Sequence, residues 1–224
     1  MARKVEVTQY NPAWPAMFKG ESKLIRSALG RNCMEIFHIG STAVPGMMAK
    51  PIIDILVSVR DLSKVDAAAD NLADLGYEAL GENGIPGRRF FRKGGEQPTH
   101  HLHIFENSNQ SEIQRHLAVV EYLASHERRR EEYSELKSML AEAYPEDIDG
   151  YIEGKAYFVA QLEKEALNSR EEAQQEEEKT GRSVPVSLGM LIGLVMGLTL
   201  FDNIGVGLCV GLCLSMLAHK LKKD

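Results

Sequence analysis

Two apolar, strand-like runs joined through a glycine-serine bend constrain this chain most. His38-Ile39-Gly40-Ser41-Thr42-Ala43-Val44-Pro45-Gly46 is followed by Lys50-Pro51-Ile52-Ile53-Asp54-Ile55. Main-chain N–H groups at such a bend can cradle phosphate oxygens. A carboxylate on the neighbouring strand can hold the magnesium that accompanies a triphosphate. The pattern calls for two neighbouring strands with Asp54 close to the bend.

Asp54 lies among Ile52, Ile53, Ile55 and Leu56. A carboxylate in such a strand must be paired, coordinated or at the sheet's rim, because burying it bare is costly. A salt bridge to an arginine is the structural alternative to a functional role. Gly40, Ser41 and Thr42 are the phosphate candidates at the bend. Lys50 precedes a proline, so its backbone is extended. Its ammonium can reach a phosphate or simply stand on the surface.

The rest of the first 168 residues reads as helices at both ends with strands between. An amphipathic helix is expected over 12–29, with Pro15 in its first turn and Gly30 at its end. Strands are expected over 35–39, 51–59, 77–80, 88–93 and 99–106. Asp61 starts a helix that runs to Leu75 and stops at Gly76, and Ser111 caps another through Ser125. Helices over 131–144 and 146–167 follow, separated at Pro145. The expected class is α+β with a mixed sheet flanked by helices.

Further candidates lie on these elements. Alternation puts Arg88, Phe90 and Arg92 on one strand face and Arg89, Phe91 and Lys93 on the other, so only one arginine set can line a site. Arginine forks bind phosphate bidentately. His101 and His103 share a face, suited to a metal, an anion or simple hydrogen bonding. Glu82 is a loop acid that could be a second metal ligand or merely solvated. Arg115-His116 and Gly154-Lys155 could reach an anionic ligand or be surface charge. His38 reads as a buried, hydrogen-bonded histidine rather than a base.

Composition changes near residue 169. Residues 169–183 are rich in Arg, Glu and Gln, as in a solvated linker or an exposed helical extension. From Val184 to Ala218 the only formal charge is Asp202. Small residues recur every fourth position at Gly189, Gly193 and Gly197, and again at Gly207, Gly211 and Ser215. Such spacing lets helices approach closely in lipid. Val184–Phe201 and Ile204–Leu221 each have 18 residues, about 27 Å of helix against a ~30 Å hydrocarbon core. The expectation over 184–221 is a hydrophobic helical hairpin in a membrane. With basic residues after it, both ends face the cytoplasm. A soluble hairpin buried by homo-oligomerisation is the alternative.

The net charge of −6 argues against general nucleic-acid coating. Residues 1–30 carry charges throughout and no apolar core run, so no signal peptide is expected. Cys33, Cys209 and Cys213 form no disulfide framework. The last two, one helical turn apart, read as packing residues rather than a zinc site.

Together the segments His38–Gly46, Lys50–Ile55, Gly84-Ile85-Pro86-Gly87-Arg88, His100–Phe105 and Gly154-Lys155 resemble the GrpB family over roughly residues 5–166. Tyr10-Asn11-Pro12-Ala13-Trp14, Phe18 and Glu21 match the family's start. The resemblance implies a nucleotidyltransferase-like fold, and a related domain occurs fused to dephospho-CoA kinases. The broader nucleotidyltransferase pattern places two acids two residues apart on one strand. Here Leu56 stands at that spacing from Asp54.

Three functions therefore stay open. One is nucleotidyl transfer: Gly40, Ser41 and Lys50 on a triphosphate, Asp54 with His101/His103 or Glu82 on Mg2+, and Arg88 or Arg89 neutralising charge. The second is a nucleotide- or CoA-like ligand-binding module tethered to a membrane. The third is a scaffold oligomerised by its tail.

Overall fold

The computed structural model describes residues 5–180. Chain contacts divide the protein into two units, Met1–Leu167 and Asn168–Asp224. The first is an α+β domain, as expected. Its elements are α1 (Trp14–Leu29), β1 (Cys33–Ile39), β2 (Ile53–Val59), α2 (Leu62–Ala67), α3 (Ala69–Asp74), β3 (Tyr77–Ala79), β4 (Arg88–Lys93), β5 (His100–Glu106), α4 (Gln110–Ser125) and α5 (Glu127–Ala143), with α6 (Ile148–Thr180) beginning in the same unit.

The five strands form one sheet in the order β1-β2-β5-β4-β3. β1 runs antiparallel to β2, β2 parallel to β5, and β4 antiparallel to both β5 and β3. β2 is thus an interior strand, and its Ile/Val/Leu content follows from burial on both faces. Ile53, Ile55, Val57 and Val59 face α1 and α3, packing with Ile25, Leu29, Leu72, Leu102 and Ile104. Leu56 points the other way and packs with Ile39, Phe105 and Ile113 of α4. Each such side chain contributes about 1.5–3 kcal/mol when fully buried. A third cluster joins Val44 and Met47, from the β1–β2 connection, to Leu123, Tyr133 and Leu162 of α4, α5 and α6. This cluster fixes the bend over one end of the sheet.

Several local expectations need correction. The helix begun by Asp61 is broken at Ala68 into α2 and α3. Asn109, not Ser111, caps α4, its side chain accepting from Glu112 N–H. α5 begins at Glu127, earlier than expected; of the two readings given for the acidic segment, helical extension describes it as far as Thr180, where α6 ends. The first helix starts at Trp14 with Pro15 in its first turn, and Gly30 follows its end in a left-handed conformation at φ +54°. Among the described residues no helix is long and apolar enough to cross a membrane. The hairpin expected over 184–221, its membrane or oligomeric role, and Cys209/Cys213 lie outside the described residues.

Candidate functional site

Parallel pairing of β2 with β5 sets Asp54 beside His101 and Leu56 beside His103. Antiparallel pairing of β1 with β2 sets Asp54 beside Ile39, immediately before Gly40. The bend therefore turns directly over the carboxylate. Gly40 has φ +69° and ψ −171°. A Cβ there would come within 3.1 Å of Asp54 Cβ and Cγ and closer still to Oδ2. Glycine is required on both counts.

Asp54 Oδ1 accepts a hydrogen bond from His101 Nδ1 at 3.1 Å. Burial alone would raise the carboxyl's pKa, but the hydrogen bond from His101, with Lys155 acting the same way, brings it below the usual range. Asp54 is thus ionised at neutral pH and paired to a histidine, not an arginine. His103 is a different case. Arg88 Nη1 donates to its Nδ1 at 3.2 Å, so the neutral ring carries its proton on Nε2. Burial pushes its pKa down to about 3.

Arg88 shares this face but serves the loop before it. Its Nε donates to the Glu82 carbonyl at 3.1 Å and its Nη2 to the Asn83 carbonyl at 2.6 Å. Asn83 is held at φ +45°. Replacing Arg88 by Ala is expected to cost about 1–3 kcal/mol through the carbonyls left without a donor. Urea denaturation reads the loss, and an NMR titration of His103 is expected to show a higher pKa in the variant. An unchanged midpoint would contradict this role.

α5 supplies a group the sequence reading omitted. Lys137, only 3% exposed, donates from Nζ to Ser41 Oγ at 2.9 Å and to the Met48 carbonyl. Its ammonium lies 4.6 Å from the Tyr133 ring centroid. Burial pushes its pKa down to about 7, Lys155 pushes the same way, and Asp54 opposes. Ser134 and Ser138 of the same helix also bond Met48, so α5 clamps the connection that carries the bend. The signal was present: Lys137 falls between Tyr133 and Leu140, one turn from each, on a buried stripe.

α6 brings Lys155 to the same place. Gly154 makes the approach possible, since a Cβ there would strike the Leu140 side chain. Lys155 and Lys50 both lie over the Tyr151 ring, at 5.6 and 5.0 Å from its centroid. Burial lowers the Lys155 pKa, with Asp54 opposing. Among the described residues, no ion pair within contact distance involves Lys137 or Lys155.

The structure thus gathers Gly40, Ser41, Asp54, His101, Lys155 and the unforeseen Lys137, with Lys50 on the Tyr151 side and His103 and Arg88 farther along the sheet. Other candidates are engaged elsewhere. The Thr42 hydroxyl donates to the Ile52 carbonyl and pairs with His38 Nε2, which leaves it no proton for a phosphate. Arg89 lies on the opposite face in an ion pair with Asp66. The Glu82 carboxylate accepts from Gly87 N–H at 2.7 Å, bracing its loop. Arg115 is held by Glu112 and Glu163. His38 stacks on Phe18.

Among the described residues no three His, Cys, Asp or Glu side chains converge as a metal site. Asp54 lies against the bend, and its like-facing neighbour Leu56 is fully buried in apolar packing. The donor set does not fit a magnesium held by the protein alone.

The family profile described as "GrpB protein" matches residues 4–165. The UPF0157 protein YqkA of Bacillus subtilis is 42% identical over 164 residues, covering 73% of this chain and 48% of YqkA. The chain thus spans about half of YqkA's length. The glutamate-rich protein GrpB of Alkalihalophilus pseudofirmus is 33% identical over 164 residues, 71% of this chain and 94% of that protein. The crystal structure of the conserved protein GrpB from Enterococcus faecalis superposes with a TM-score of 0.72 at 44% identity, covering 74% of this chain and 99% of that one.

Proposed function

The chain belongs to the GrpB family, and from that premise we propose that its sheet-end bend binds the phosphate groups of a nucleotide or related phosphate ester. The observation that carries this reading is Lys137, a buried ammonium bonded to Ser41 Oγ with Lys155 nearby and no carboxylate in contact. Burial without a counter-ion in contact lowers the pKa of this group to about 7, and a phosphate oxygen would restore its full charge. In this reading Ser41 and Lys137 hold one phosphate, Lys155 and Lys50 the same or the next, and Gly40 lets the bend lie against Asp54.

The nucleotidyltransferase-like character implied by the resemblance is part of the proposal. Transfer chemistry would require Mg2+ brought in with the ligand's own phosphates, since Asp54 offers one carboxylate and His101 occupies one of its oxygens. Ligand binding is therefore the better-supported half of the reading.

A thermal-shift panel on the full chain tests it, using nucleoside mono-, di- and triphosphates and CoA compounds with and without magnesium. Binding at 100 times Kd is expected to add about 2.7 kcal/mol, which appears as a clear rise in melting temperature. Ser41→Ala is expected to reduce the shift. No shift with any phosphate compound would overturn the proposal and leave a scaffold role.

A further inference from the structure

We propose that Lys137 and Lys155 stand at this site where a two-carboxylate transferase would place its divalent metal, so that the bend binds a terminal phosphate without one. This rests on the phosphate-binding reading above and adds the ligand's form: a phosphate monoester or phosphoanhydride end, free of metal.

Charge and position argue for it. A metal-dependent site on this strand would need a second acid two residues beyond Asp54, and Leu56 fills that position with buried hydrocarbon. Where that acid would draw in a divalent cation, the fold instead converges two ammoniums from two helices. Lys137 reaches Ser41 from α5, and Lys155 reaches the Asp54 field from α6. Ser41, bonded to Lys137, follows the Gly40 that lies on Asp54, and Lys155 follows Gly154, which lies against Leu140 one turn beyond Lys137. Asp54 raises the pKa of both lysines and Lys155 lowers that of Lys137, in keeping with one locality. Lys155 together with Lys137, whose pKa of about 7 leaves it part protonated at neutral pH, outweighs one carboxylate and leaves a net positive site. Such a site repels a second cation and attracts an anion.

Rigidity points the same way. Lys137 is fixed by Ser41 Oγ, the Met48 carbonyl and the Tyr133 ring. Tyr151, fully buried, forms the floor under Lys155 and Lys50. An amine held in place before the ligand arrives, as Lys137 is, loses little freedom on binding. His101 holds Asp54 by one oxygen. The carboxylate's other oxygen, beside Gly40, would accept a hydrogen bond from the P–OH of a singly protonated phosphate, with no proton transferred and no metal between them.

The test is isothermal titration of the full chain with inorganic phosphate, AMP and ATP, each in EDTA and in magnesium. Inorganic phosphate and AMP chelate magnesium weakly, so their titrations compare cleanly, and the three probes separate free phosphate from phosphate carried on a nucleoside. Affinity for the best probe is expected to agree within threefold between the two conditions. Lys155→Met and Lys137→Met are each expected to weaken it tenfold or more. Lys155→Met alters a partly buried side chain without a hydrogen bond to lose, so it keeps the test decisive if Lys137→Met fails to fold. Binding seen only with magnesium, or unaffected by Lys155→Met, would overturn this inference and leave the phosphate-binding reading in place. No binding in either condition would overturn both.

Discussion

Gly40→Ala is expected to destabilise the folded protein by about 2–5 kcal/mol, a large part of the roughly 5–15 kcal/mol a domain of this kind possesses. Two costs add. An alanine held at φ +69° and ψ −171° occupies an extended positive-φ region essentially confined to glycine, at about 1–2 kcal/mol. Its Cβ would also overlap Asp54 Oδ2 and crowd Cβ and Cγ at 3.1 Å, an overpacking cost of about 1–3 kcal/mol. The two separate in a double-mutant cycle. Asp54→Ala in the Gly40→Ala background removes the carboxylate and is expected to recover part of the collision cost but none of the backbone cost. Urea denaturation of the four chains measures this. A loss below 1 kcal/mol in the single variant would mean that the bend does not lie against Asp54.

Acidification is expected to produce the other large effect. His103 stays neutral in the fold until about pH 3, and His38 until about pH 4, in both cases chiefly through burial. In the unfolded chain both protonate near pH 6.5. Below pH 6.5 the unfolded chain therefore binds protons that the folded chain refuses, and stability falls as the pH drops. From pH 6.5 to 4 the two histidines together remove on the order of 5 kcal/mol. Asp54, with its lowered pKa, adds to the loss at the acid end. Chemical denaturation at a series of pH values is expected to show this slope, and His103→Gln is expected to flatten it. A stability profile level from pH 7 to 4 would contradict the burial assigned to both rings.

Much of this arrangement was legible before any coordinates. Apolar runs flanking a Gly-Ser bend meant two adjacent strands, and one acid within an isoleucine run meant a carboxylate needing a partner. The i, i+2 spacing of His101 and His103 placed both on one face, and strand register then delivered His101 to Asp54. What sequence could not supply was the choice of face and the reach of the helices. Alternation divided Arg88 from Arg89 but not which set met the bend, because that depends on which side α2 brings Asp66. Asn109 outcompeted Ser111 as a cap because its side chain stands one turn before Glu112 N–H. Lys137 was missed because a helical lysine is ordinarily solvent-facing. Only packing of α5 on the β1–β2 connection turns it inward.

The position of bound phosphate tests the central claim most directly. Crystals of the protein soaked with a non-hydrolysable nucleoside triphosphate are expected to show a phosphate within hydrogen-bond distance of Ser41 Oγ and Lys137 Nζ, with Lys155 Nζ turned toward it. Phosphate bound on another surface while Ser41 and Lys137 keep their own bond would contradict the account.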